Sequence, residues 1–366
     1  MQKNEGIKDI ILTIIIPMYQ AEKYIDQCLE SIEREMTDEI VGIIEVLVID
    51  DGSTDNTLSR ALIWEKKCRW VRVFWHTNHG VGYTRNRGIL NAKGQYIWFV
   101  DVDDNIIPAS IRSITQILRE NDLPIYFFGY RTHLEREQLN EFDTFCDYEG
   151  IFRKEQKFKS IFWNLYSKNL IHNVGTKIYN RRILVENKIR FKENLSIYED
   201  AIFCLEVIKY SSEIWISKDI YYCYNLERNI SSLNHQYREN FEKAIYILFG
   251  IINSMINEKD LNYYINLAKS MDGALNNELR QRGETFKKFK KFCLELLENS
   301  EMIAELKKND KAINNNMNCK LLFRRKFFTC YINLKKIYIK NMILTSGAYN
   351  RIFDALYKLY KQIGNR

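Results

Sequence analysis

Two acidic clusters stand out for residue type and for placement. One is Asp50-Asp51-Gly52-Ser53-Thr54-Asp55 and the other is Asp101-Val102-Asp103-Asp104. Each follows an apolar run, Ile43–Ile49 in the first case and Gln95–Val100 in the second. Carboxylates gathered in one crevice repel one another unless a cation or hydrogen-bond donors compensate. A hard divalent ion, Mg²⁺ or Mn²⁺, is the simplest compensation, and it typically takes one or two carboxylates together with substrate phosphates. Taken singly, each cluster also reads as a turn, with Asp55 as a helix N-cap. Two such clusters at two strand ends point instead to one shared site.

The surrounding elements must bring both clusters to one edge. Ile10–Ile16, Ile43–Ile49, Val71–Trp75, Gln95–Val100 and Ile125–Tyr130 are short runs of buried-strand character. Between them, Ala21–Glu35, Asp55–Cys68, Tyr83–Asn91 and Pro108–Glu120 read as helices. This alternation predicts an α/β fold with a mostly parallel sheet flanked by helices on both faces. Ligands of such sheets bind beyond the carboxyl ends of the strands. Residues 131–232 are mixed, with helices expected at Phe158–Asn169 and Asp200–Tyr210 and short strands at Trp215–Ser217 and Ile220–Tyr224. Beyond 232 the pattern is helical, as in Tyr237–Asn257 and Leu261–Arg282, while the Asn-rich stretch Asn309–Asn318 reads as a loop. The expected organisation is a catalytic domain over 1–232, a helical region over 233–319 and a basic aromatic tail over 320–366. The catalytic domain divides into a nucleotide-binding half (about 10–130) and an acceptor half (about 131–232).

Composition narrows the function. With 46% hydrophobic residues and 3 prolines in 366 residues, the chain is neither disordered nor built on a long linker. Its net charge of +7 is local: Lys320–Arg366 holds 11 Lys/Arg against one acid, Asp354, so the remainder is slightly acidic. That confines any argument about anionic partners to the tail, and no nucleic-acid partner is expected. Eight cysteines without a C-x-x-C pair and five dispersed histidines give no zinc spacing, and they suit a reduced, cytoplasmic setting. No run of about 18 apolar residues predicts a membrane span. Interleaved rings and cations in the tail suit peripheral contact with an anionic membrane surface.

Thr13–Gln20 (TIIIPMYQ), Glu22–Ile25 (EKYI), Cys28–Ile32 (CLESI) and the Asp50–Asp55 loop together resemble the opening of family 2 glycosyltransferases of the GT-A fold. Asn78-His79-Gly80 with Thr84–Ile89 (TRNRGI) resembles that family's N-x-G and R-N-x-G segment, and Asp101–Asp104 its D-x-D-D motif. Weaker correspondences continue through Lys177-Ile178-Tyr179, Tyr198-Glu199-Asp200 and Tyr222 to Ser232. Gln20 stands where the family commonly has Asn.

The resemblance implies inverting transfer of a sugar from a UDP-sugar donor. On that reading Asp51 accepts from the uracil N–H, and the Pro17–Tyr19 backbone lines the base pocket. Asp103 faces ribose and metal, Asp101 and Asp104 complete the metal–diphosphate end, and Arg85 assists there. An inverting displacement also needs a base for the acceptor hydroxyl. Asp200 is the candidate, with Glu199 as its substitute; Ser196 to Glu199 reads equally as a capping box. Lys177 is a candidate for acceptor or phosphate, and Arg228, Ser231 and Ser232 for a loop closing over the donor. His79 and His172 read as structural. The implied acceptor is a lipid-linked (undecaprenyl-diphosphate) saccharide of capsule or O-antigen synthesis at the inner face of the cell membrane, with galactose or glucose favoured as the sugar. Two alternatives stand beside this. A sugar-nucleotide pyrophosphorylase calls for a Gly-rich loop where Pro17-Met18-Tyr19-Gln20 stands, and a non-catalytic carbohydrate- or membrane-binding module has no need of the carboxylates.

Overall fold

A computed structural model of the chain describes residues 9–133, 141–154, 158–225, 238–256, 259–279 and 285–344. It divides into two compact units, Met1–His235 with Ile247–Asn257, and Gln236–Tyr246 with Glu258–Arg366.

The first unit is built on a sheet of ten strands: β1 (Leu12–Met18), β2 (Ile44–Asp50), β3 (Val71–Trp75), β4 (Tyr96–Phe99), β5 (Asn105–Ile106), β6 (Ile125–His133), β7 (Phe142–Thr144), β8 (Gly150–Arg153), β9 (Lys177–Asn180) and β10 (Glu213–Asn225). The order is β3-β2-β1-β4-β9-β6-β10-β5, with β7 beside β6 and β8 beside β10. Helices α1 (Ile25–Glu33), α2 (Thr57–Lys67), α3 (Val81–Asn91), α4 (Ser110–Glu120), α5 (Phe158–Ser167), α6 (Arg181–Glu186) and α7 (Glu199–Tyr210) connect them. Every residue of β1 and β2 is buried, which is why both read as unbroken apolar runs rather than alternating ones. Ile14, Ile15 and Ile16 have no exposed surface, and each such burial contributes roughly 1.5–3 kcal/mol.

Registry fixes where the acidic clusters emerge. β1 pairs in parallel with β2 on one side (Met18↔Asp50) and with β4 on the other (Ile15↔Phe99). The Asp50 and Asp101 loops therefore leave the same edge. The parallel arrangement holds over β3-β2-β1-β4 and then changes, because β9 runs antiparallel to both β4 and β6. β9 follows α5 and starts from a 3₁₀ turn, Val174–Thr176, at the carboxyl edge, so it runs back against β4 and β6. The sheet is thus mixed. The two short strands expected near 215 and 220 are one strand, β10, whose register shifts around Ile220. Ser217 Oγ donates to Asp219 Oδ2 at 2.7 Å, closing the local turn that makes the irregularity.

Helix α8 (Phe241–Met255) has residues assigned to both units. The second unit continues with α9 (Leu261–Glu278), α10 (Phe286–Asn299), α11 (Glu301–Leu306), α12 (Asp310–Asn315), α13 (Met317–Phe323) and α14 (Phe327–Leu344). The Asn-rich stretch expected as a loop is α12 and the start of α13. Its asparagines are caps: Asn309 Oδ1 accepts from Ala312 N at 3.0 Å and Asn316 Oδ1 from Cys319 N at 2.9 Å. Within 320–335, Leu322, Phe327, Cys330 and Leu334 are buried, whereas Arg324, Arg325, Lys326 and Phe328 are exposed. Among the described residues no helix is long and apolar enough to cross a membrane.

Candidate active site

The Asp50 loop turns sharply at Gly52, whose φ of +77° and close approach to Asn78 N (2.7 Å from a built Cβ) exclude a side chain. Asp51 follows β2 and is buried; its Oδ1 accepts from His79 N and its Oδ2 from Gly80 N, both at 2.8 Å. His76 Nε2 lies 3.2 Å from Asp51 Oδ1. Arg87, which has only donors, reaches His76 Nδ1 at 2.7 Å, so Nδ1 is the acceptor and Nε2 carries the proton. Burial and the Arg87 charge lower the His76 pKa, keeping it neutral. Asp51 therefore clamps the 76–80 turn over the loop. Tyr19 is 52% exposed beside this loop, whereas Pro17 is buried.

Gln20 is exposed and has φ +51°. Its Oε1 accepts from Thr54 N and Asp55 N, and its Nε2 donates to Thr54 Oγ1 at 2.8 Å. The longer amide thus ties the end of β1 to the acidic loop. Asp55 is not the N-cap of α2; it accepts from Thr57 N, one residue inside the helix start at Asn56.

In the second cluster the four residues separate by role. Asp101 is a third exposed on its side chain and pairs with Arg85 Nη2 at 2.9 Å. Asp103 is half-buried. Asp104 is 1% exposed, with Oδ2 accepting from Tyr222 OH at 2.6 Å and Oδ1 from Asn225 N at 2.9 Å. This corrects its placement among the metal ligands: both of its oxygens face protein donors within the fold. Burial, with Asp103 and Asp101 nearby, raises the Asp104 pKa well above the usual carboxylate range. Among the described residues no cage of three or more His, Cys, Asp or Glu side chains forms. Asp101 and Asp103 are two hard oxygen donors at an open edge, which fits an Mg²⁺ or Mn²⁺ ion that completes its shell with phosphate.

Arg85 is the joint of the site. It lies on α3, its side chain 4% exposed, and its Nη1 reaches Asp200 Oδ1 at 2.5 Å while Nη2 holds Asp101. The surface salt bridge that a helix-borne Arg ordinarily makes is not what forms. Asp200 sits in the first turn of α7, after Tyr198 in the left-handed region (φ +58°). No Ser196–Glu199 capping box forms, since the helix begins at Glu199 with no side-chain cap. Burial raises the Asp200 pKa to about 7, against the pull of Arg85; Glu199 and Asp101 add to the rise. A fifth of the Asp200 side chain remains exposed.

Lys177 is not at the opening. It is fully buried and donates to the carbonyls of Leu170, Ile171 and Asn173, so its expected contact with acceptor or phosphate is corrected to an internal one. Burial pulls its pKa down to about 8. His172, in the same turn, is held neutral by burial and by Lys177, with its pKa down at about 4, and its ring meets Tyr198 at 5.8 Å. Arg228, Ser231 and Ser232 lie outside the described residues.

Other site-building residues escaped the sequence reading. Asn86, inside TRNRGI, donates to Phe191 O and Glu193 Oε1 and accepts from Phe191 N at 2.8 Å, fastening α3 to the segment before α7. Their separation of 105 residues leaves no local signal.

Residues 13–187 match the family model described as Glycosyl transferase family 2. Residues 13–187 form a family 2 glycosyltransferase domain. The chain is 25% identical over 270 residues to the uncharacterized glycosyltransferase EpsJ of Bacillus subtilis, covering 70% of this chain and 74% of that one. It is 27% identical over 248 residues to the poly(ribitol-phosphate) β-glucosyltransferase of Bacillus spizizenii, covering 66% of this chain and 37% of that relative. Among solved structures, S. aureus TarS 1–349 in complex with UDP-GlcNAc aligns over 93% of both chains with a TM-score of 0.62 at 19% identity. That likeness establishes the GT-A fold.

Proposed function

We propose that this glycosyltransferase moves a hexosyl residue from a UDP-sugar, with inversion, to a hydroxyl of a lipid-linked saccharide in cell-surface polymer synthesis. The TarS complex with UDP-GlcNAc supports the donor class. The β-glucosyl product named for the Bacillus spizizenii relative supports inversion of an α-linked donor and a cell-surface polymer as acceptor. Galactose or glucose remains the favoured sugar.

The observation that carries the reading is Arg85, one buried guanidinium bonded to Asp101 on the donor side and to Asp200 on the acceptor side. In this mechanism the acceptor hydroxyl attacks the anomeric carbon and its proton passes to Asp200 Oδ2, while the bond from the anomeric carbon to the diphosphate oxygen breaks. A base near pKa 7 suits that transfer at neutral pH. Arg85 holds the carboxylate in place and keeps a positive charge beside the departing diphosphate. Asp101 and Asp103 would hold Mn²⁺ or Mg²⁺, which when bound offsets charge developing on the leaving group. Glu199 is the neighbouring acid of the same turn. Asp51 accepts from the uracil N–H, and the Pro17–Tyr19 backbone lines the base. Arg228, Ser231 and Ser232 belong to the reading as a donor-covering loop. The exposed Arg324, Arg325, Lys326 and Phe328 support peripheral contact with an anionic membrane surface on the cytoplasmic side. No nucleic acid enters the reading.

The test is UDP release from a panel of UDP-sugars in the presence of a membrane extract, with MnCl₂ and with excess EDTA. Release that depends on both acceptor and metal is expected. Undiminished release in EDTA would remove the metal from the reading.

A further inference from the structure

The Asp101–Asp104 turn is held from a distant strand. Asp104 N donates to Asp101 O at 3.0 Å, closing the turn on itself. Against it stands Tyr222 of β10, with no exposed surface. The Tyr222 hydroxyl accepts from Asp101 N at 3.2 Å and donates to Asp104 Oδ2 at 2.6 Å. At the first residue of the Asp101–Asp104 turn and at its last, one phenol therefore fixes both backbone and side chain. Asn225, at the end of β10, adds its N–H to Asp104 Oδ1 and its side-chain amide to Asp103 O at 2.8 Å.

The surroundings are shaped for that ring. A Cβ on Gly175 would lie 2.2 Å from Tyr222 Cζ, so only glycine lets the phenol through. Gly175 is itself held by Trp98 Nε1, which donates to its carbonyl at 2.8 Å from β4. Tyr222↔Ile106 and Cys223↔Asn105 pairing joins β10 to β5 directly after the turn.

We propose that Tyr222 and Asp104 are a positioning pair, a latch from β10 that sets the direction of the Asp101 and Asp103 carboxylates toward a metal–nucleoside diphosphate. The inference rests on the metal-dependent reading above, and it gives Asp104 a task other than ligation. Groups that orient metal ligands typically cost 10- to 100-fold in affinity when removed.

The experiment uses the full chain with Tyr222→Phe and Asp104→Asn. Asp101 amide exchange is measured without metal, and Mn²⁺ binding in the presence of UDP is measured by electron paramagnetic resonance. Tyr222→Phe keeps the ring and loses both hydroxyl bonds. It should speed Asp101 exchange and weaken Mn²⁺–UDP binding about 10-fold or more. Asp104→Asn keeps an acceptor for Asn225 N and a polar partner for Tyr222, so its Mn²⁺ affinity should stay within about 3-fold. Two results overturn the latch. One is unchanged Asp101 exchange, or unchanged Mn²⁺ affinity, in Tyr222→Phe; the other is loss of Mn²⁺ binding in Asp104→Asn with Asp101 exchange unaltered, as a direct ligand would give. If the unsubstituted chain binds no Mn²⁺ with UDP, the metal reading fails by itself, and the latch then stands or falls on Asp101 exchange and UDP affinity in Tyr222→Phe. Should that variant fail to fold, Asn225→Ala removes the bond to Asp103 O, and the same losses are expected of it.

Discussion

Replacing Arg85 by lysine tests how the two sides of the site are joined. Arg85 spends separate nitrogens on Asp200 (2.5 Å) and Asp101 (2.9 Å). A lysine ammonium is a point charge on a flexible stem, and it cannot reproduce this planar fork. One charge-assisted bond is lost, at about 1.5–3 kcal/mol. If the loss falls on Asp200, its pKa, already raised to about 7 by burial, rises further. At about 1.4 kcal/mol per unit, the rise is roughly one to two units. The base works only when ionised, so the sign is fixed: the acid limb of the rate profile moves to higher pH. At pH 7.5 turnover should fall about 3- to 25-fold from the change in ionised fraction alone, and recover toward pH 9. The assay is the initial rate of UDP release between pH 5.5 and 9 at saturating donor. An acid limb that stays in place or moves down would refute the electrostatic link between Arg85 and Asp200.

Two further outcomes follow from the same geometry. Lys177→Met strips three carbonyls of their buried donor and should lower unfolding stability by about 1–3 kcal/mol in urea titration. UDP affinity should not change, and a selective loss of substrate affinity would return Lys177 to a binding role. Neutralising Arg324, Arg325 and Lys326 to Gln should weaken flotation with anionic vesicles by about fivefold per charge, with turnover on a soluble acceptor preserved. Equal flotation of the altered and unaltered chains would count against that surface.

The parts of the fold that were legible share one property: their signal is local. β1, β2 and β4 announce themselves as apolar runs because both faces are covered, and the acids that follow β2 and β4 share an edge because those strands run in parallel. β9 gives no such cue, since its four residues directly follow a 3₁₀ turn and their direction is set by where that turn sits. At the site, residue types showed where carboxylates gather but not which face inward. Asp101, Asp103 and Asp104 look alike in sequence. Asp104 is distinguished only by Tyr222 and Asn225, which lie 118 and 121 residues away. Lys177 reads as a solvated or substrate-facing cation, and it is buried because the turn at 170–173 offers it carbonyls. Tyr198 in the left-handed region could not be foreseen from a residue type that seldom adopts it.

The central claim is that Asp200 takes the proton of the acceptor hydroxyl, and turnover of Asp200→Asn at pH 8 tests it most directly. The substitution keeps an oxygen for Arg85 Nη1 and leaves the helix start unchanged, so the fold and the UDP affinity should persist. Turnover should fall by roughly 10²–10⁴ at unchanged UDP affinity. Turnover within a few-fold of the unsubstituted enzyme would contradict the account and leave Asp200 as a partner of Arg85 alone.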